Sequence, residues 1–192
     1  MPINLPILLT WLRVLMIPLI VGMYYLPASW IGAEIRDLIA TLMFIAAAGT
    51  DWLDGWLARR WNQTSSFGAF LDPVADKLMV SAALLVLLHL GRVDAMVTLI
   101  IIGREITISA LREWMAKIGA SGSVAVHQLG KLKTAVQMTA IPMLLYGHEF
   151  LGIDLVYWGQ WLIIVAAILT VWSMAYYLQK AWSVIKVKSP DQ

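Results

Sequence analysis

Residues 50–77 read TDWLDGWLARRWNQTSSFGAFLDPVADK, and this stretch decides how the rest of the chain is interpreted. It concentrates four aspartates in an otherwise apolar chain: Asp51, Asp54, Asp72 and Asp76. The first two are three residues apart and the last two are four apart, so each pair shares one face of a helix. Between the pairs, the polar and glycine-containing residues 62–68 predict a tight turn between two helices. If these helices pack antiparallel, the two acid pairs converge at one point.

The composition around this stretch is that of a membrane protein. The chain has 192 residues, of which 60% are hydrophobic and 14% are charged, and its mean hydropathy is +0.77. A soluble domain carries about 25% charged residues, so this chain has too few charges to cover a surface that faces water. The net charge of +2 is too small to indicate nucleic-acid binding. The absence of cysteine excludes disulfides, thiolate metal sites and cysteine nucleophiles.

Six apolar stretches are long enough to cross a bilayer, which takes about 20 residues per helix. The sequence therefore predicts an all-α, six-span membrane protein with one domain, residues 1–192, and spans at 7–26, 37–60, 72–91, 94–117, 131–148 and 155–178. The first is interpreted as a retained span, because a basic start and a clean cleavage site of small residues are both missing. Most lysines and arginines lie near one side, so the positive-inside rule puts both termini and the acidic stretch at the cytoplasmic face.

Four carboxylates near hydrocarbon repel one another and are costly unless cations compensate them. Mg²⁺ or Mn²⁺ would do so, because these ions prefer oxygen ligands and usually bind substrate phosphates as well. The sequence therefore predicts a metal site at the cytoplasmic end of the second and third helices, built from Asp51, Asp54, Asp72 and Asp76. The small residue Gly55 would let a ligand approach the helix, and Arg59 could pair with phosphate through its planar guanidinium. The alternative is that the acids only form salt bridges with neighbouring basic residues at the membrane edge.

Residues 51–76 have the spacing Asp-x2-Asp-Gly-x2-Ala-Arg-x8-Gly-x3-Asp-x3-Asp. This resembles the signature of the CDP-alcohol phosphotransferases, with every fixed position filled: Asp51, Asp54, Gly55, Ala58, Arg59, Gly68, Asp72 and Asp76. Three further stretches are similar to the branch of that family that acts on glycerol 3-phosphate: NLPILLTWLR (4–13), GREITISALREWMA (103–116) and GKLKTAVQM (130–138). The resemblance therefore covers most of the chain.

The resemblance implies a transferase of phospholipid synthesis, which moves the phosphatidyl group of CDP-diacylglycerol to sn-glycerol 3-phosphate and releases phosphatidylglycerophosphate and CMP. In the family the first three acids of the signature hold the metal, here Asp51, Asp54 and Asp72 with Mg²⁺ or Mn²⁺. Asp76 then touches a second ion and acts as the base toward the glycerol hydroxyl. The resemblance also implies a homodimer in the bacterial inner membrane.

Substrate contacts are expected in two places. By resemblance, the residues that contact CDP-diacylglycerol are Gly55, Arg59 and Ser65. The acceptor phosphate needs cations, and four basic residues of the fourth and fifth spans are candidates for its pocket: Arg104, Arg112, Lys131 and Lys133. The alternative for the last three is that they extend from the cytoplasmic face to lipid headgroups. Glu105 is expected to pair with neighbouring cations.

The first span carries three polar residues in a stretch that resembles the family. Asn4, Thr10 and Arg13 could line the nucleotide pocket. For Asn4 and Thr10, capping of the helix or bonding to its backbone is an equal alternative. Arg13 lies within an apolar helix, where a charge needs a partner.

Rival interpretations come from other functional classes. A transporter or channel would spread its charges along several spans toward the midplane, whereas these charges cluster at one face. A non-catalytic scaffold of similar layout would need no metal-binding acids. Within the enzyme class, serine, inositol phosphate or phosphatidylglycerol could replace glycerol 3-phosphate, because the acidic signature is shared across acceptors.

Overall fold

The computed structural model describes residues 5–60, 66–117 and 128–188, with side chains for all of these except 5–6, 52–59, 66–67, 69, 128–129, 131, 180–181 and 183–188. The described residues are predominantly helical, in agreement with the predicted all-α class. The six helices are α1 (Leu5–Met23), α2 (Ala33–Arg60), α3 (Ser66–His89), α4 (Ala95–Lys117), α5 (Gln128–Tyr146) and α6 (Leu155–Lys188). Two short strands, β1 (Glu149–Phe150) and β2 (Ile153–Asp154), pair antiparallel between α5 and α6.

Each predicted span corresponds to a helix, but several helix ends differ from the prediction. α2 and α3 begin earlier than expected, and α6 continues past residue 178 to Lys188. Hydropathy locates the apolar middle of a helix, whereas polar helical turns on either side carry no such signal. The predicted loop at 147–154 contains the hairpin, whose central residues Leu151 and Gly152 both have positive φ. That is the conformation a two-residue type I′ turn requires.

One described helix is both long and apolar enough to cross a bilayer, Leu155–Gln179, with a mean hydropathy of 1.9. Ile7–Met23 is a shorter apolar helix. The six-span topology therefore stays a prediction.

The chain divides into two compact units. The first consists of Met1–Arg92 and Ile141–Tyr157, and the second of Val93–Ala140 and Trp158–Gln192. In the first unit, over the residues that the structure describes, α1 packs against both α2 and α3 more extensively than those two helices pack on each other. The expected pair of acid-bearing helices is therefore joined by a third helix.

The second unit has its own apolar core. Ile108 and Met115 of α4 pack with Tyr177 of α6, and all three side chains are buried. Ile108 and Met115 are seven residues apart, which is about two helical turns, so both side chains lie on one face of α4.

A buried ion pair in the first unit ties the start of α2 to the turn after α3. The side chain of Asp37 is 1% exposed, and Arg92 Nη2 donates a hydrogen bond to its Oδ2 at 2.5 Å. Arg92 Nη1 also donates to the carbonyl oxygens of Leu144 at 2.9 Å and Leu145 at 2.8 Å, near the end of α5. One guanidinium thus compensates a buried carboxylate and caps backbone carbonyls that a helix end leaves unpaired.

Three further side chains surround this pair, and we refer to the whole group as the Asp37 cluster: Asp37, Arg92, Arg36, Tyr24 and His148. Arg36 Nε lies 3.5 Å from Asp37 Oδ1, and its guanidinium lies 4.7 Å from the centroid of the Tyr24 ring. His148 Nε2 lies 3.9 Å from Asp37 Oδ2.

Gly147 follows the end of α5 and shows how closely the Asp37 cluster is packed. Its φ of 69° is in the left-handed region, and a Cβ at this position would overlap the Arg92 guanidinium. Glycine therefore satisfies both the conformation and the space that this position requires.

Candidate active site

Helix α1 presents two polar side chains to the acids of α2 and α3. Thr10 and Arg13 are three residues apart, so they share one face of the helix, and they are 1% and 0% exposed. Arg13 Nη1 donates to Asp51 Oδ1 at 2.9 Å and to Asp76 Oδ1 at 2.5 Å. Thr10 Oγ1 donates to Asp72 Oδ1 at 2.6 Å. Three of the four signature aspartates therefore meet on one face of α1, and we call these five residues the acid site.

The carboxylates of Asp51 and Asp76 are close neighbours. Their Oδ1 atoms both accept from the same nitrogen, so the distance between them cannot exceed the sum of those two short bonds. The two carboxylate side chains are 40% and 37% exposed, whereas the Arg13 side chain is fully buried. The acid site is thus closed on its inner side by a guanidinium and accessible on its outer side.

The acid site fits a divalent cation in the type of its donors and in the convergence of two of them. Carboxylate oxygens are the ligands that Mg²⁺ and Mn²⁺ prefer, and a positive group already bridges Asp51 and Asp76. Among the side chains that the structure describes, no group of three or more histidine and acidic residues is arranged to hold an ion. The remaining predicted positions lie outside the described side chains: Asp54, Gly55, Arg59 and Ser65.

The contacts between α1 and the acids of α2 and α3 were not predicted from the sequence. Thr10 and Arg13 were candidates for the nucleotide pocket, whereas the structure shows both donating to aspartates. A signal was present, since an arginine in an apolar helix needs an anionic partner. The signature contains the densest group of acids in the chain, so it is where such a partner is expected.

The second unit holds a separate group of charges from α4 and α5. Arg104 Nη1 donates to Glu105 Oε1 at 3.0 Å, and the Lys133 ammonium donates to the same oxygen. Arg104 Nη2 also donates to Ser173 Oγ at 3.3 Å, and its guanidinium lies 6.0 Å from the Tyr177 ring centroid. Glu105 therefore pairs with neighbouring cations, as expected. We call these five residues the basic cluster.

The basic cluster carries an excess of positive charge in a buried setting. Arg104 is 9% exposed and Lys133 is 2% exposed, and Glu105 is the one carboxylate that the described contacts place between them. The Nε atom of Arg104 is buried and has no hydrogen-bond partner among the described residues. Buried polar atoms are nearly always satisfied, so the arrangement suits an added anion.

The structure brings together two of the four predicted phosphate-binding residues. Arg112 lies exposed on α4 rather than on the buried face with Arg104. A side chain eight residues along a helix points about 80° away from the first one, whereas a side chain eleven residues along points within about 20° of it. Met115, eleven residues after Arg104, is accordingly buried. The side chain of Lys131 lies outside the described residues.

Comparison with known proteins identifies the family. The model of the CDP-alcohol phosphatidyltransferase family matches residues 3–172. The chain belongs to this family. Proteins named CDP-diacylglycerol–glycerol-3-phosphate 3-phosphatidyltransferase from Salmonella choleraesuis (strain SC-B67) and Escherichia coli (strain K12) are each 50% identical over 184 residues, covering 94% of this chain and 96% of the relative. The relative from Shigella flexneri serotype 5b (strain 8401) has the same name and is 50% identical over 188 residues.

The family predicted from the acidic signature is thereby confirmed, and these relatives bear the name of the branch that the other three stretches indicate. The region matched to the CDP-alcohol phosphatidyltransferases contains the whole acid site, including the two α1 residues. It also contains the basic cluster except for Ser173 and Tyr177, which follow the end of the match.

Proposed function

We propose that this protein is a membrane enzyme that transfers the phosphatidyl group of CDP-diacylglycerol to sn-glycerol 3-phosphate, giving phosphatidylglycerophosphate and CMP. The proposal is carried by the convergence of Asp51 and Asp76, from two helices, on one nitrogen of Arg13 at an accessible site. The names of relatives that are 50% identical over 94% of the chain support the choice of substrates.

In the proposed site Mg²⁺ or Mn²⁺ would be held by Asp51, Asp54 and Asp72, and a second ion would be held by Asp76. The chemistry that such an ion would supply is neutralisation of the negative charge that develops on the CMP leaving group. Asp76 accepts the proton of the glycerol hydroxyl, whose oxygen bonds to the lipid-side phosphorus as the bond from phosphorus to CMP breaks. The CDP part of the donor is contacted by Gly55, Arg59 and Ser65.

The basic cluster is the proposed site for the acceptor phosphate. Arg104 and Lys133 are its two buried cations, and glycerol 3-phosphate brings the negative charge that balances their excess over Glu105. The planar guanidinium of Arg104 suits phosphate oxygens, and its buried Nε would gain a partner. Lys131 is proposed to complete the pocket, whereas Arg112 lies on a different, exposed face of α4 and is left out of it.

The surface of α1 supports a location in the bilayer. Leu8, Leu15 and Leu19 are each more than half exposed, whereas Thr10 and Arg13 are buried. This is the reverse of a helix in a water-soluble protein, whose apolar face points inward, and large exposed apolar surfaces indicate contact with membranes or partners. We propose six spans in a bacterial inner membrane, with both termini and the acid site cytoplasmic, in a single domain that forms a homodimer.

The function is tested by supplying one acceptor at a time. Purified protein is incubated with CDP-diacylglycerol and Mg²⁺, and CMP release is followed with glycerol 3-phosphate, serine, inositol phosphate or phosphatidylglycerol. Release is expected with glycerol 3-phosphate and is expected to stop when EDTA removes the metal. Release with serine and none with glycerol 3-phosphate would show that the acceptor is wrong while the family chemistry is right.

Replacing Lys133 by methionine tests the acceptor pocket. Methionine fills a similar volume without the charge. The KM for glycerol 3-phosphate is expected to rise about 10- to 100-fold, because one charge-assisted hydrogen bond, which contributes about 1.5–3 kcal/mol, is lost. The KM for CDP-diacylglycerol should stay within about twofold of the wild-type value, since the substitution does not affect ground-state binding of the donor. Initial rates of CMP release at varied acceptor and donor concentrations provide both constants.

The matched control is Lys117→Met. Lys117 is 72% exposed and pairs with Glu113 one turn earlier in α4, so its loss should change neither constant. If Lys133→Met leaves the KM for glycerol 3-phosphate unchanged in a folded protein, the basic cluster is a structural ion pair and the acceptor binds elsewhere.

A further inference from the structure

Arg13 places a permanent positive charge inside the acid site. Its side chain is 0% exposed, and the guanidinium stays protonated at all physiological pH values. It donates to acids on two different helices, Asp51 of α2 and Asp76 of α3. A buried charge is costly unless it is paired, so the guanidinium and the two carboxylates depend on one another.

The same contacts oppose the entry of a metal ion. A divalent cation that binds Asp51 and Asp76 needs the negative charge that Arg13 already compensates, and it is repelled by the guanidinium at short range. A carboxylate has about four lone-pair positions, so the arginine and an ion can share it, but each weakens the hold of the other. The guanidinium fork also matches a phosphate group well.

We propose that Arg13 is a positioning residue that serves as a resident counter-cation of the acid site. It holds Asp51 and Asp76 together before an ion binds, and it keeps their affinity for a divalent cation low until a nucleotide diphosphate supplies compensating negative charge. The inference rests on the proposed metal site and adds that loading of the ion is coupled to binding of the nucleotide. Such coupling is reciprocal, so the ion raises nucleotide affinity by the same factor.

Thr10 supports this arrangement without taking part in the charge balance. Its hydroxyl donates to Asp72 at 2.6 Å, so one face of α1 engages the acids at two points. Removal of the Arg13 charge therefore leaves the hydrogen bond between Thr10 of α1 and Asp72 of α3 in place. This allows the electrostatic effect to be measured in a site that is still assembled.

The test compares Arg13→Gln and Arg13→Met with the wild type, as purified full-length protein in detergent after EDTA treatment. Binding of Mn²⁺ is measured by electron paramagnetic resonance, without substrate, and thermal unfolding is followed by tryptophan fluorescence. We expect both variants to melt below the wild type without Mn²⁺. We also expect both to bind Mn²⁺ at least about tenfold more tightly, because the repelling charge is gone. CDP should strengthen Mn²⁺ binding more in the wild type than in either variant, compared at equal free Mn²⁺.

Two further variants separate charge from general damage. Arg13→Lys keeps the positive charge, and its affinity for Mn²⁺ should stay within about threefold of the wild type, since the electrostatic repulsion persists. Arg36→Gln removes an arginine of the Asp37 cluster in the same unit, away from the acid site. It should lower the melting temperature without changing the affinity for Mn²⁺.

The affinity for Mn²⁺ and the folding of the Arg13 variants decide whether Arg13 acts as a counter-cation. Unchanged or weaker Mn²⁺ binding in folded Arg13→Gln and Arg13→Met overturns the inference, even if the wild type binds Mn²⁺ and releases CMP as proposed. A variant that folds only when Mn²⁺ is added supports it, and one that is unfolded with and without Mn²⁺ contradicts it. If the wild type neither binds Mn²⁺ nor releases CMP, the proposed function itself fails.

Discussion

Replacement of Asp76 by asparagine is expected to lower kcat about a thousandfold while CDP-diacylglycerol still binds. A general base contributes about 10²- to 10⁴-fold to rate, and a carboxamide cannot accept the proton. The amide oxygen of asparagine can still accept from Arg13 Nη1, which donates to Asp76 at 2.5 Å in the wild type. The bridge to α1 is therefore retained while the base is removed. CMP release measures the rate, and displacement of a labelled nucleotide lipid measures binding.

The control for this variant is Asp94→Asn. Asp94 is exposed and accepts a hydrogen bond from the Met96 backbone N–H at 2.7 Å, at the start of α4. Asparagine caps helices as well as aspartate does, so activity should be unchanged. If Asp76→Asn retains more than about a tenth of the wild-type kcat, another group takes the proton, because the loss of a general base would lower the rate far more than that.

Replacement of Asp37 by asparagine should destabilise the protein by about 3–5 kcal/mol, although the residue lies outside the acid site. The substitution leaves the Arg92 guanidinium, whose side chain is 18% exposed, without its carboxylate partner. Breaking one side of a buried pair costs more than the pair itself contributes, because an uncompensated charge remains. For a chain of this length the loss corresponds to a fall in melting temperature on the order of 10 °C. Thermal unfolding monitored by tryptophan fluorescence measures it.

Asp154→Asn provides the matched control in the same unit. Asp154 is exposed and accepts from the Tyr157 N–H at 3.0 Å, so asparagine should preserve both the contact and the melting temperature. The double variant Asp37→Leu/Arg92→Met removes both charges and should recover part of the loss. Recovery stays incomplete because Arg92 also donates to two carbonyls near the end of α5. If Asp37→Asn melts within about 2 °C of the wild type, the ion pair is dispensable. For a chain of this length, such a shift corresponds to a loss of less than about 1 kcal/mol in the free energy of unfolding.

The helices could be predicted because their signal is local. Long apolar stretches locate each helix within the sequence, and glycine or polar runs separate them. The ends were less accurate, as for α3, which begins at Ser66 and continues through Pro73. A proline inside a helix removes one backbone hydrogen bond. The local sequence does not show whether the surrounding packing compensates for that loss.

The acid site was predictable in part. Spacing along the chain places Asp72 and Asp76 on one face of a helix, and the structure does bring both to α1 with Asp51. The contacts of Thr10 and Arg13 with the aspartates were not predicted, because a contact between residues 38 to 63 positions apart leaves no periodic pattern. The same limit applies to Asp37 and Arg92, which are 55 residues apart along the chain.

The dependence of the acid site on α1 has a consequence for biosynthesis. Thr10 and Asp72 are separated by 62 residues, and Arg13 and Asp76 by 63. In the proposed six-span topology, a nascent chain whose first two spans have entered the membrane holds Arg13 and Asp51 there before Asp76 has been inserted. In that topology the buried guanidinium therefore gains its partner on α3 only when the third span enters the membrane, so the first span depends on a later one for the compensation of its charge.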